Sequence, residues 1–365
     1  GKLDFDDKLI DYLPQFKQSD VDKITINHLL NHQSGFGDYF HQAYFSLAQN
    51  KQNISGILPL LEQEQLLFEP GTDEQYSNAG YVLLGAVIEE VTGKSYAENV
   101  RVSIVDPLHL NSMVLKNVKQ IPNRAIGYLK TPNGVENNED FISEPRSDGG
   151  FYSTAADILK FYREYFYGNS LVSKKMKAKS EYFKAIEPVY KLKGKAIPMA
   201  GGFNGANTVH LEMLADGISI VVFANMDEPV AENIALGIHK ILNAKKPEKA
   251  MLPARIMVFN ALQKNGIEYV KDNFDALTVN FHPADPKDHI LNQIGYDLFF
   301  DNRLDEAIQV FELNTILFSD VANCWDSFGE ALLKKGEKEK AKWAYQKALS
   351  LDPELPSSKK ALNNL

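Results

Sequence analysis

The clearest local pattern in the chain is helical. Val82, Leu83, Ala86, Val87 and Val91 recur at spacings of three and four, which puts them on one face of a helix over 79–91. Ser77 or Asn78 can cap its start, and Gly93 can end it in a left-handed conformation. A second pattern has strand character: 208–214 and 218–224 are rich in β-formers and are separated by Ala215-Asp216-Gly217, the signature of a hairpin. From 3 to 243 such helical and strand signals alternate, punctuated by Gly and Pro, so this stretch reads as one α+β body. Lys245-Lys246-Pro247-Glu248-Lys249 is a charged, proline-containing break, after which strand signals become scarce.

Beyond that break an internal period appears. Gly295 and Gly329, Leu298 and Leu332, Ala307 and Ala341, and Phe311 and Tyr345 each stand 34 residues apart. A period of that length, with small residues where two helices cross and an aromatic in the second helix, resembles the tetratricopeptide (TPR) repeat. The second copy, 322–355, carries Trp325, Phe328, Gly329, Ala341, Tyr345, Ala348 and Pro353; the first, 288–321, has Leu291 for the tryptophan and Ser319 for the proline. Two such units leave apolar faces uncovered, so 256–277 is expected to supply further packing helices. The expected organisation is therefore a main domain over 1–245, a linker with packing helices over 246–287 and two repeats over 288–365. The TPR resemblance implies a protein or peptide contact surface; a helical appendage packed on the main domain is the alternative.

Composition narrows the function classes. With 44% hydrophobic and 24% charged residues the chain is ordinary globular material, and 365 residues exceed what a single core usually holds. The excess of 48 acidic over 39 basic residues gives a net charge of −9, which argues against nucleic acid as a partner. A single cysteine, Cys324, excludes an internal disulfide framework and any multi-cysteine metal site. The apolar run 81–88 is far shorter than the roughly 18 residues of a membrane span, so none is expected. His28 and His32 lie four apart, but no third ligand completes a metal pattern, and no cofactor motif is present: Gly93-Lys94-Ser95 lacks the first glycine of a phosphate loop, and Ile88 stands in its place. No G-x-S-x-G occurs.

One constellation rises above this background. Phe68-Glu69-Pro70-Gly71 leads to Tyr76-Ser77-Asn78-Ala79-Gly80-Tyr81-Val82-Leu83-Leu84-Gly85, then to Thr92-Gly93-Lys94-Ser95-Tyr96 and Asp106-Pro107-Leu108. Upstream lie Gly1-Lys2-Leu3-Asp4, Tyr12-Leu13-Pro14 and Ile24-Thr25-Ile26-Asn27-His28-Leu29-Leu30-Asn31-His32-Gln33-Ser34-Gly35. Downstream lies Asp148-Gly149-Gly150-Phe151-Tyr152-Ser153-Thr154-Ala155-Ala156-Asp157. Four blocks in this order resemble the serine β-lactamase and penicillin-binding-protein superfamily, in its class C and esterase branch, over about residues 1–230. The resemblance implies a β-lactamase/transpeptidase-like fold, an antiparallel sheet with helices, here followed by the all-α repeat region.

It also implies chemistry. The superfamily transfers acyl groups through a serine in S-x-x-K, the neighbouring lysine and a tyrosine acting as base or proton shuttle, with a third strand motif lining the site. Tyr76 matches the tyrosine, and a phenol serves as a base only where cations favour the phenolate. Asn78 matches the residue whose amide would hold a substrate carbonyl and the lysine. Taken singly, Ser77-Asn78 is a plain helix cap and Tyr76 a packing aromatic. Aligning Gly201-Gly202-Phe203-Asn204-Gly205 with the glycine-rich strand puts Met199, Ala200 and Gly201 at the third motif, where Met199 replaces the cation and weakens the case for recognising a substrate carboxylate. The motif serine is not matched near the start, and the chain is expected to lack an N-terminal segment that carries it. The one S-x-x-K, Ser357-Ser358-Lys359-Lys360, is a coincidental match in the polar tail.

Two functions follow. The first is a serine hydrolase acting through an acyl-enzyme on an ester or D-amino-acid peptide, the chain as written being inactive for want of its nucleophile. The second is a degenerate binding or scaffolding module with TPR-mediated protein contacts. The expected partners are a small-molecule or peptide substrate and a protein on the repeats. The resemblance suggests a bacterial protein of the periplasm or exterior, while the sequence itself leaves the compartment open.

Overall fold

The computed structural model describes residues 2–131, 134–249, 252–279 and 286–365. The 246–287 segment therefore includes positions, 250–251 and 280–285, that lie outside the described residues. The chain divides into two compact units, one of Gly1–Ala125, Asp140–Pro198 and Leu211–Val221, the other of Ile126–Glu139, Met199–His210 and Val222–Leu365.

In the first unit the helix foreseen over 79–91 forms as Asn78–Thr92. Ser77 is its cap, its hydroxyl accepting the Gly80 N–H at 3.0 Å, and Gly93 closes it with φ of 66°. Val82, Leu83, Ala86 and Val87 are buried, joining Leu9, Ile24, Leu29, Phe36, Ile57 and Leu61 in one core. Helices Ile26–Leu30 and Ile54–Leu61 contribute their apolar sides to it. The helix Ala155–Tyr167 is capped by Thr154, and the buried Asp157 in its first turn accepts from the N–H and hydroxyl of Ser112.

Strands β1 (Tyr128–Thr131) and β2 (Gly134–Asn137) pair antiparallel, Tyr128 opposite Asn137. Strands β3 (Ile197–Phe203), β4 (Ala206–Met213) and β5 (Ile218–Ala224) form a sheet in that order. Their connections are too short for anything but antiparallel neighbours. The β4–β5 turn is the Asp-Gly turn read from the sequence, with Gly217 at φ of 66°. This fold is the β-lactamase/transpeptidase-like one, antiparallel sheets with helices followed by a helical region.

The second unit holds that helical region. Ala254–Asn265 and Ile267–Leu277 pack against Asp288–Phe300 and Leu304–Leu317 respectively. A further pair, Ala322–Lys335 and Lys338–Leu351, is followed by Pro356–Asn363. Within each pair the second helix crosses the first at a glycine. A methyl group at Gly295 would lie 2.5 Å from the Phe311 ring, and one at Gly329 would lie 3.0 Å from the Tyr345 ring. The 34-residue spacing thus corresponds to the same glycine–aromatic crossing made twice.

This difference in clearance has a measurable consequence. Gly295→Ala is expected to destabilise the region by about 1–3 kcal/mol through overpacking. Gly329→Ala is expected to be nearly neutral, because the roughly 1 kcal/mol gained in helix propensity offsets a milder contact. Urea unfolding followed by tryptophan fluorescence reads this region selectively, because Trp325 and Trp343 are the only tryptophans in the chain. Equal losses at both positions would contradict the packing argument.

Candidate active site

The site in the first unit is built around the start of Asn78–Thr92. Ser77 is 1% exposed, and besides capping the helix its hydroxyl donates to the Gly37 carbonyl at 2.9 Å. That bond brings the loop bearing Asp38 against the helix start. Asn78 then bridges two side chains: its Nδ2 donates to Asp38 Oδ2 at 2.7 Å, and its Oδ1 accepts from the Tyr76 hydroxyl at 3.3 Å. Asp38 Oδ1 accepts the N–H groups of Tyr39 (2.7 Å) and Phe40 (3.4 Å), so the carboxylate is fixed on both oxygens. Tyr76 taken as a whole residue is 67% exposed, while its ring is covered on one face by His32.

His32 supports Tyr76 from beneath. Its ring centroid lies 4.6 Å from that of Tyr76 and 5.2 Å from that of Tyr81, while its Nδ1 accepts the Ser77 N–H at 3.2 Å. Burial holds its pKa below the ordinary value, so the ring is a neutral platform near pH 7. His28 does different work four residues earlier, closing a capping box with Thr25 at the start of Ile26–Leu30. Among the described residues no three His, Cys, Asp or Glu side chains gather as a metal site.

Below the Asp38 loop sits a buried ion pair. Arg146 Nε donates to Asp148 Oδ1 at 3.1 Å, with the two side chains only 9% and 3% exposed. Arg146 also donates to the Tyr39 hydroxyl at 3.0 Å, and Tyr39 in turn donates to Asp148 Oδ2. Its remaining bonds reach the Gln52 carbonyl and the Ser143 hydroxyl, both at 3.3 Å. Burial and then Asp148 push the Tyr39 phenol far above its ordinary pKa, so it remains a donor at any working pH. This segment approaches the helix at Gly85, where a methyl group would come within 2.1 Å of Ser147 Oγ.

The electrostatics of Tyr76 differ from what a phenolate base needs. Burial against its neighbours, then the charges of Asp38 and Asp148, raise its pKa above the ordinary phenol value. In residues 1–365 Tyr76 is thus a protonated hydrogen-bond donor to Asn78. A base function requires a cation brought to its hydroxyl, which is the role the S-x-x-K lysine fills in the resemblance.

The other predicted site residues lie in the second unit. Met199, Ala200 and Gly201 are on β3, the edge strand of its sheet, with Ala200 and Gly201 exposed and Met199 half-buried. The Gly201 carbonyl accepts from Thr208 Oγ1 at 3.0 Å. Ser357 and Lys360 are exposed on Pro356–Asn363, while Ser358 between them is buried and bonded to Asp326. Sequence reasoning brought out Tyr76 and Asn78 but passed over Asp38, Tyr39 and Arg146. The usable signal was the Gly35-Phe36-Gly37-Asp38 run directly after the His-Gln-Ser-Gly block, since glycines on either side of a phenylalanine mark a loop folded tightly onto its neighbours.

Two outcomes follow from this geometry. Asp148→Asn leaves the Arg146 guanidinium buried without its counter-ion and is expected to cost about 3 kcal/mol or more in urea unfolding followed by circular dichroism; a loss below about 1 kcal/mol would mean that the pair is incidental. In carbon-13 tyrosine NMR of residues 1–365, Tyr76, assigned through Tyr76→Phe, is expected to titrate above the ordinary phenol value of about 10. A midpoint below that value would reveal a cation at its hydroxyl.

Comparison with known proteins agrees with the sequence blocks. Residues 1–237 match the Beta-lactamase family. Penicillin-binding protein 4* of Bacillus subtilis (strain 168) is 28% identical over 258 residues, 62% of this chain and 56% of that protein. Teichoic acid D-alanine hydrolase of Staphylococcus aureus is 29% identical over 161 residues, 44% of this chain and 38% of that protein. The chain thus spans about half the length, or less, of these curated relatives. Among solved structures, the octameric penicillin-binding protein homologue from Pyrococcus abyssi superposes with a TM-score of 0.58 at 23% identity, over 73% of this chain and 65% of that one, which shows a common fold. With well over half its residues matched, this chain belongs to the Beta-lactamase family, the penicillin-binding-protein-like serine hydrolases.

Proposed function

We propose that the protein is a serine hydrolase acting through an acyl-enzyme on an ester or a D-amino-acid peptide, with residues 1–245 as the catalytic domain. The observation that carries this reading is the bonded trio Tyr76–Asn78–Asp38, presented at the capped start of Asn78–Thr92 in a chain of this family. In this reading Tyr76 works with the serine and lysine of the family's S-x-x-K motif. The serine oxygen adds to the acyl carbonyl, its proton passes to the Tyr76–lysine pair, and the leaving group departs with a proton from that pair; water reverses the sequence. The lysine ammonium lowers the Tyr76 pKa that burial and carboxylates raise here. Asn78 holds the acyl carbonyl and the lysine. By the resemblance, Met199, Ala200 and Gly201 on β3 are the third-motif residues, with Gly201 the one whose backbone N–H would serve an oxyanion. Met199 brings no charge for a substrate carboxylate, which favours simple ester or aminoacyl substrates over penicillin. The name of the Staphylococcus aureus relative, a D-alanine hydrolase, supports the same substrate side.

The helical pairs of 288–365 form, in this proposal, two TPR repeats that contact a protein or peptide, with 246–287 as linker and packing helices. Met199 in the cation position, together with carboxylates rather than cations acting on Tyr76, favours one second reading: a catalytically degenerate domain that binds without turning over.

With the full-length polypeptide and a p-nitrophenyl ester as substrate, Tyr76→Phe is expected to lower kcat/KM by about 10²–10⁴-fold, the usual worth of a proton-transferring group. Hydrolysis unchanged by Tyr76→Phe overturns the assignment, and no hydrolysis at all favours the degenerate module.

A further inference from the structure

Tyr76, Asn78 and the cap Ser77 between them are all held from one side by a single imidazole. His32 stands two residues after Ile26–Leu30 with φ of 57°, a left-handed conformation that a residue with a Cβ adopts only at a cost. Two backbone bonds fix this turn against the segment leading to the site: the His32 carbonyl accepts the Gln75 N–H at 3.0 Å, and the Gln33 carbonyl accepts the Gly71 N–H at 2.9 Å. The ring is thereby set against both Tyr76 and Tyr81, with its Nδ1 accepting the Ser77 N–H at 3.2 Å.

A ring nitrogen that accepts a hydrogen bond carries no proton, so this contact requires the neutral imidazole with its hydrogen on Nε2. A further proton goes to Nδ1. Two donors, Nδ1–H and the Ser77 N–H, then face each other across the same gap, and an attraction becomes a repulsion. Ser77 is joined by peptide bonds to both Tyr76 and Asn78, so displacing its N–H moves the phenol and the amide together. The surroundings of the ring act in opposite directions: burial disfavours the imidazolium, the Glu74 carboxylate favours it, and burial is the stronger. The titratable groups stacked on the ring are the Tyr76 and Tyr81 phenols, both kept protonated by burial. His28, four residues earlier, serves its own helix start instead, its Nδ1 accepting the Thr25 N–H at 3.4 Å.

We propose that neutral His32 is the positioning residue of this site, holding Tyr76 and Asn78 in place through the Ser77 N–H, and that protonation of its imidazole disengages them. The inference rests on the hydrolase reading only for its effect on turnover; the link between the three residues is read without substrate.

The test is NMR of residues 1–365 labelled with nitrogen-15 and with carbon-13 tyrosine, titrated from about pH 8 to about pH 5, a range that spans the ordinary histidine value of about 6.5. His32 is expected as the Nε2–H tautomer at the upper end, with a midpoint below the ordinary value, and the Ser77 amide and Tyr76 ring signals are expected to shift with that same midpoint. His32→Asn puts an uncharged acceptor near the Nδ1 position on a residue that tolerates the left-handed backbone, and is expected to remove the pH dependence of both signals. In the full-length polypeptide with a p-nitrophenyl ester, kcat is expected to fall about tenfold per pH unit below the His32 midpoint, as one inactivating proton requires, and His32→Asn is expected to remove that fall. His32→Phe keeps a ring beneath Tyr76 without an acceptor, and is expected to lower kcat about tenfold with KM little changed; should it fail to fold by circular dichroism, His32→Asn carries the test. An Nδ1–H tautomer at His32, Ser77 and Tyr76 signals that do not follow the His32 midpoint, or an acid fall in kcat that survives His32→Asn overturns the proposal. If the shared midpoint holds while no ester is hydrolysed, the positioning stands and the catalytic reading alone fails.

Discussion

Arg146 and Asp148 form the buried contact on which the geometry of the first unit turns. Taking a guanidinium and a carboxylate out of water is costly, and only close pairing with further hydrogen bonds offsets it. Here Tyr39 closes the pair, donating to Asp148 while accepting from Arg146, and the remaining Arg146 bonds reach Gln52 and Ser143. One side chain therefore ties together the 39, 52 and 143–148 segments, which no local propensity would assemble. Tyr39 is next to Asp38 in the chain. Fixing the phenol fixes the neighbouring carboxylate, and Asp38 fixes the Asn78 amide that faces Tyr76.

The same layout separates two electrostatic tasks. The inner carboxylate is spent on structure, paired and out of reach of solvent. The outer one, Asp38, is exposed and holds the Asn78 amide. Tyr76 feels both carboxylates and retains its proton, which makes the proposed chemistry conditional on a cation arriving at its hydroxyl. A site of this kind is poised rather than self-sufficient.

Much of this was legible in the sequence, for reasons that can be named. Asn78–Thr92 announced itself because cap, apolar stripe and terminating glycine agreed, and the β4–β5 hairpin did so through Asp216-Gly217. Tyr76 and Asn78 were found by the order of the blocks around them rather than by any property of their own. The β1–β2 hairpin went unread because its strands are four residues each, set among Gly, Pro and Asn with no apolar alternation. Asp38 and Arg146 were silent because hydrogen bonds between distant segments leave no periodicity; the bond from Arg146 to Tyr39 spans 107 residues and that from Asn78 to Asp38 spans 40. In the helical region the reverse holds: the contact between Gly295 and Phe311 is short in sequence and repeats at Gly329 and Tyr345, so the period exposed it.

The central claim is that Tyr76, Asn78 and Asp38 serve a serine nucleophile carried on the same polypeptide. Intact mass spectrometry with peptide mapping after exposure of the full-length polypeptide to a fluorophosphonate tests it most directly, with Tyr76→Phe alongside. The account predicts one stoichiometric adduct, on a serine of an S-x-x-K motif other than Ser357, weakened by Tyr76→Phe. No adduct, or an adduct that Tyr76→Phe leaves unchanged, would contradict it.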